Sequence, residues 1–192
     1  MTELRSVRPV RMTGPGCLLR EWDDGDVPAL WALLDDARVA DRVLDEAPPS
    51  PDDVRAAVRA WRQAAEQSPR REYRLAVVVA DRPVGLGNLA VESSTHRRGE
   101  IGYVIHPDHW GRGLGTQVAR LLVRLGFEQL GLHRIEATTR PDHTASCRVL
   151  EKAGMRREGI SRDHLHVRGR WWDSVRYAVL ATDRAGPVHP GD

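Results

Sequence analysis

Three glycines at alternate positions, Gly111, Gly113 and Gly115, precede an amphipathic run with Leu114, Val118, Leu121, Leu122 and Leu125 at helical spacing. Glycines without Cβ let backbone N–H groups point into one concavity and let a ligand approach the main chain closely. Where such a loop opens a helix, the unpaired N–H groups and the positive dipole end favour an anion. Residues 111–116 therefore read as a diphosphate cradle at a helix start, with Arg112 supplying a charge-assisted contact to a phosphate. Two better-known phosphate loops do not fit. Thr116 or Val118 stands where a dinucleotide fingerprint needs its third glycine, and no G-K-[ST] follows as in a P-loop. On composition alone, a glycine-rich turn joining a strand to a helix remains the alternative. Ser146 is the next chemistry-bearing residue. Val149, Leu150 and Ala153 follow it at i+3, i+4 and i+7, so its hydroxyl shares an inward helix face. A hydroxyl there needs a partner, either a ligand or its own helix carbonyl. His164 and His166 fall on one face of a strand by alternation, and an imidazole can take a proton from an amine through a water. As a metal pair they lack a third ligand, so no metal is expected.

The elements that position these residues follow from patterning. Residues 17–22 read as a first strand. Asp24, Gly25 and Asp26 supply turn and cap chemistry before a helix with Pro28 in its first turn. Residues 40–49 read as a loop carrying Asp41, Asp45 and Glu46. Ser50-Pro51-Asp52-Asp53 then starts a helix with Val54, Ala57, Val58, Trp61 and Ala65 on one stripe. Residues 75–80, 84–91 and 100–106 read as an antiparallel meander, the first of them apolar enough to be buried on both faces. The cradle helix follows, to about residue 130, and then a strand at 134–139. Because a crossover helix precedes it, that strand should lie parallel beside 100–106. A short helix at 144–153 stops at Gly154, and strands at 160–167 and 171–181 close the chain as a hairpin. Residues 1–16 read as a flexible arm, 17–184 as a single domain and 185–192 as a disordered tail.

Residues 100–117, E-I-G-Y-V-I-H-P-D-H-W-G-R-G-L-G-T-Q, resemble motif A of the GNAT acetyltransferases, whose [Q/R]-x-x-G-x-[G/A] pattern binds the pyrophosphate of acetyl-CoA. Trp110 stands where Gln or Arg is commonest, as in the branch containing the ribosomal-protein N-terminal acetyltransferases. R-P-D-H-T-A-S-C-R-V-L-E-K-A-G-M, E-G and G-R-W-W-D, within residues 140–173, resemble the same branch. The resemblance implies a three-layer α/β acyl-CoA N-acyltransferase fold, with a mixed, mostly antiparallel sheet, one splayed parallel strand pair and helices on both faces. It implies acetyl-CoA as co-substrate, contacted by Trp110, Gly111, Arg112, Gly113, Leu114, Gly115 and Thr116. It also implies backbone donors at Val104 and Ile105 for the thioester carbonyl, and Ser146 beside the sulfur, able to hand the thiolate a proton. The tyrosine that other members place four residues later is Leu150 here, so that route is closed. His143 replaces the family's usual Asn and is either a cofactor contact or a solvent-facing helix start. The general base is taken as Glu100, with Asp163, His164 and His166 as the other candidates. Cys147 has no arranged His–Asp pair, which favours direct transfer over an acetyl-cysteine.

Composition sets the outer bounds. The 192 residues carry 29 basic and 27 acidic side chains, a net +2 that exerts no strong pull toward nucleic acid or membrane. No apolar run approaches the roughly 18 residues of a membrane span. Two cysteines, Cys17 and Cys147, make neither a disulfide scaffold nor a zinc pattern, and the expected location is the cytoplasm. The function expected is acetyl transfer from acetyl-CoA to a primary amine on a protein N-terminus, antibiotic, polyamine or amino acid, by a chain that can act as a homodimer. Two other functions compete. One is a non-catalytic acyl-CoA-binding regulatory module. The other is an acetyltransferase toxin acting on aminoacyl-tRNA, for which Arg156, Arg157, Arg162, Arg168 and Arg170 would form the basic surface.

Overall fold

Among residues 8–43 and 49–184, which the computed structural model describes, eight strands pair in one sheet in the order β1-β2-β3-β4-β5-β6-β8-β7. β1 (Arg11–Gly14), β2 (Cys17–Glu21), β3 (Glu72–Val79), β4 (Arg82–Ser93) and β5 (Arg98–Ile105) pair antiparallel in turn. β6 (Arg134–Thr139) lies parallel to β5, as a crossover helix requires. β8 (Arg170–Leu180) is antiparallel both to β6 and to the edge strand β7 (Arg156–Val167). This is the expected mixed, mostly antiparallel α/β sheet.

Two cores lie on its two faces. On one, Leu114, Val118, Leu121 and Leu122 of α4 (Leu114–Arg124), with Leu125 just beyond, are all buried with Leu150 of α5 (Thr144–Lys152). On the other, Leu30 and Leu33 of α1 (Val27–Asp35) and Val54 and Val58 of α3 (Pro51–Ala65) pack with Trp22, Ala76 and Val78. The apolar run of β3 feeds both, Leu75 and Val77 going to the first core and Ala76 and Val78 to the second. α3 starts as its sequence predicts. The Ser50 hydroxyl accepts from Asp53 N–H at 3.2 Å, and the Asp53 carboxylate accepts from Ser50 N–H at 3.0 Å.

Besides shifts of a few residues at the ends of β3, β4 and β5, three differences from the sequence reading matter. Residues 11–14, expected in a flexible arm, form β1, in register with residues 17–20 of β2. Val10 and Met12 are buried there; one inward methionine between Arg11 and Thr13 is too short a pattern to announce a strand. α2 (Ala37–Val43) takes up the start of the expected loop at 40–49, while Asp45 and Glu46 lie outside the described residues, as do 1–7 and 185–192. β7 begins at Arg156 rather than at Ile160.

Candidate active site

β5 and β6 stay paired for only three register positions, Arg98↔Arg134, Gly99↔Ile135 and Glu100↔Glu136. Beyond them β5 follows β4 to Ile105↔Gly85, and β6 follows β8 to Thr139↔Val175. The two strands therefore splay, and backbone groups on the facing side of β5 have no strand partner. Their direction follows from alternation along the strand. Arg97 C=O accepts from His133 N–H on the β6 side, whereas His106 N–H donates to Val84 C=O on the β4 side. Odd-numbered residues of β5 thus face the splay and even-numbered ones face β4. Of the two donors expected here, Ile105 directs its N–H into the opening, and Val104 directs its own into the β4 ladder. The Ile105 C=O accepts the Trp110 indole N–H at 2.7 Å, which ties the start of the glycine loop to the rim of the splay.

The loop has the cradle geometry at two of its three glycines. Gly111 and Gly113 hold φ of 75° and 76°, a region that favours glycine, and a Cβ on either would meet no atom within 4 Å. Gly113 caps α4 without any side-chain hydrogen bond, so the N–H groups of Leu114, Gly115 and Thr116 point ahead of the helix with no acceptor inside it. Arg112 is exposed at the rim. Gly115 differs from the other two in its surroundings. It lies inside α4, and a Cβ there would stand 3.4 Å from Val149 Cγ2 and 3.5 Å from Tyr103 Cε2. Both distances are ordinary contact, so α4 packs closely on Tyr103 and α5 at this position.

Tyr103 is the site residue that the sequence reading missed. Its phenol lies 3.1 Å from Ser146 Oγ, so Ser146 finds its partner across the site and not in its own helix. Burial pushes the Tyr103 phenol above its ordinary range, with the Ser146 hydrogen bond opposing that shift in part. The signal was available: Tyr103 alternates with Ile101 and Ile105, both buried, on the face toward α4 and α5. α5 itself is held at its end as predicted. Gly154 has φ 93°, with Gly154 N–H donating to Glu151 C=O and Met155 N–H to Leu150 C=O, both at 3.0 Å. His143 stands half-buried at the first cap of α5, its side chain making no cap bond. Cys147 is half-buried, and neighbouring Tyr177 donates to Glu151 Oε1 at 3.1 Å.

Glu100 lies on the opposite face of the sheet from Tyr103, at the last parallel pair before the strands part, and accepts from Thr138 Oγ1 at 3.2 Å. The other base candidates separate. A bulge between Ser161 and Leu165, with Asp163 at φ 47°, breaks the alternation on which a shared histidine face depended. His164 Nδ1 lies 2.9 Å from Ser174 Oγ, while His166 stacks on Trp171 with ring centroids 4.9 Å apart. Asp163 is exposed, its N–H donating to Asp173 Oδ1. Among the described residues no three His, Cys, Asp or Glu side chains gather to hold a metal ion. A cavity of about 640 Å³ bordered by Thr13, Gln117, Arg120 and Gly154 runs along the flank of α4 and shares no residue with the cradle or the splay.

Comparison with known proteins gives the family and the fold. The pattern described as Acetyltransferase (GNAT) domain matches residues 17–156. The Bacillus subtilis (strain 168) protein named Uncharacterized N-acetyltransferase YnaD is 29% identical over 173 residues, 89% of this chain and 97% of its own length. A crystal structure of an acetyltransferase (GNAT family) from Bacillus anthracis superposes with a TM-score of 0.77 at 28% identity, covering 89% of this chain and 98% of that one. In fold alone, Mycobacterium smegmatis RimJ in complex with CoA-disulfide is similar at a TM-score of 0.78 and 24% identity, over 96% of this chain and 90% of that one. Since the matched stretch runs from β2 through the splay, cradle and α5, and the likeness to relatives extends over nearly the whole chain, this protein is an acyltransferase of the GNAT acetyltransferase family.

Proposed function

We propose that this enzyme moves an acetyl group directly from acetyl-CoA to a primary amine, on a peptide N-terminus or a small molecule, at the opening between β5 and β6. The observation that carries the reading is the meeting of the cradle, the Ile105 N–H turned toward the opening and the Tyr103–Ser146 pair at one splay. The cradle fits a diphosphate: Gly111 and Gly113 leave open the space a Cβ would fill, and the first N–H groups of α4 face it. Trp110, Arg112, Leu114, Gly115 and Thr116 complete the CoA-binding segment, and His143, at the start of α5, is the further cofactor contact in this reading. Bound acetyl-CoA supplies an acyl thioester, whose C–S bond is exchanged for a C–N bond to the acceptor.

The residues of this chain hold charge and protons during that exchange. Ile105 N–H is aimed where negative charge develops on the acyl oxygen, a preorganised donor of the oxyanion-hole kind. Glu100 takes the proton that the attacking nitrogen loses. Ser146 Oγ–H gives the leaving sulfur a hydrogen bond, or a proton that the Tyr103 phenol and then solvent replace, and the phenol holds Ser146 in place. Among the described residues no helix is long and apolar enough to cross a membrane. A panel of amines and N-terminal peptides, assayed by thiol release and by mass of the acetylated product, tests the proposal. Amine-dependent release with a matching acetylated product is expected. CoA binding without release for any acceptor would instead support the regulatory-module reading.

A further inference from the structure

The sheet face that carries Glu100 continues past Thr138 to a second cluster of charge. Thr139, the last residue of β6, pairs with Val175, and Arg140 follows it beside the β8 residues that precede Val175. The Arg140 guanidinium lies over the Trp172 ring, 4.2 Å from its centroid, and the Arg170 guanidinium lies over the same ring at 4.4 Å. Trp172 and Ser174 alternate with Val175 and Tyr177, which are buried beneath α5, so the indole belongs to the Glu100 side of the sheet. Asp142 grips Arg140 at both ends of its fork, Nε at 3.0 Å and Nη2 at 2.7 Å. Among the described residues no carboxylate pairs with Arg170. At the tip of the same hairpin Arg168 Nη2 reaches Ala40 C=O of α2 at 3.4 Å, which brings the hairpin across toward the helices of this face.

Two guanidiniums held over one indole are positioned by the ring's negative face without being neutralised by it. With a single carboxylate between them, the pair keeps an excess positive charge and a planar donor fork suited to a carboxylate. We propose that Arg140, Trp172 and Arg170 form a subsite for a carboxylate on the acceptor. Arg140 lies two residues beyond Thr138, whose hydroxyl donates to Glu100, so the acceptor is a peptide whose amino terminus is followed closely by an acidic side chain. This rests on the reading of the β5–β6 opening as the place of acetyl transfer.

The test compares kcat/KM for peptides that share a first residue and differ at the second and third, acidic, neutral or basic, alongside free glutamate, aspartate and spermidine. The subsite predicts at least a tenfold preference for acidic over neutral peptides, and collapse of that ratio toward one in Arg170→Gln. A matching preference for the free acidic amino acids would keep the carboxylate subsite and change its source. Equal use of acidic and neutral peptides, or a preference for spermidine or basic peptides, overturns the subsite and leaves the acetyltransferase reading standing. If no acceptor is acetylated, that reading fails separately. Calorimetry of the same peptides against the CoA-loaded protein then decides the subsite: tighter binding of acidic peptides, lost in Arg170→Gln, supports it, and equal binding removes it.

Discussion

Tyr103 and Ser146 lie 43 residues apart in the chain and meet at 3.1 Å, one from a strand and one from a helix. Each is polar on a face otherwise occupied by apolar side chains, and each satisfies the other. The pair allows a prediction that separates positioning from packing. Tyr103→Phe keeps the ring that fills the space beside Gly115 and deletes only the hydroxyl. It should lower kcat roughly 2- to 10-fold, the worth of one hydrogen bond, with little change in the Michaelis constant for acetyl-CoA. An unchanged kcat would show that the phenol only fills space. Ser146 was legible in the sequence because helical periodicity turned it inward. Tyr103 obeys the same logic at strand period, but its partner comes from an element whose docking no local pattern reveals. Val104 and Ile105 needed more still: which of two adjacent N–H groups faces the splay depends on β-ladder phase, a property of the assembled sheet.

At the scale of elements, α4 was almost fully readable. Its buried stripe is the one the leucine spacing marks, and Gly113 caps it in the left-handed region. The glycines within it divide into two mechanisms, and their variants should divide too. Gly113→Val has steric room but imposes φ 76° on a β-branched residue and fills the cradle, so CoA affinity by calorimetry should be lost while the melting temperature falls only modestly. Gly115→Val instead drives branched carbons against Val149 and Tyr103, so it should lower the melting temperature more and reduce kcat as well. Identical behaviour of the two variants would contradict this division. β1 and α2 escaped the sequence reading because each is short and carries too few apolar positions for a period to show. The histidine face failed for another reason: a bulge at Asp163 inserts residues into β7 and resets the alternation.

At the scale of the whole molecule, the sheet separates two environments and the splay joins them. The α4–α5 side buries the Tyr103 and Tyr177 phenols, and burial raises both above the ordinary tyrosine value. A raised acid constant means that the fold favours the neutral phenol. That stability is fully present below the unfolded value near pH ~10 and is lost as pH rises through the raised folded value. Unfolding free energy measured by denaturant should therefore fall between about pH 9 and 12, and less steeply in Tyr103→Phe; equal slopes would place the Tyr103 phenol in solvent. The other side of the sheet carries Glu100, Thr138 and the Arg140–Trp172–Arg170 cluster, a polar surface where an amine can approach. Transfer through the splay is the central claim, and Ser146→Ala tests it most directly in a single turnover. Enzyme preloaded with acetyl-CoA is mixed with an accepted amine, and the acetylated product is followed in time. The transfer rate constant should drop roughly 10- to 100-fold, about 1.4–2.7 kcal/mol of transition-state stabilisation, with acetyl-CoA affinity nearly unchanged. A wild-type rate constant in that experiment would contradict the claim and move the chemistry away from Ser146.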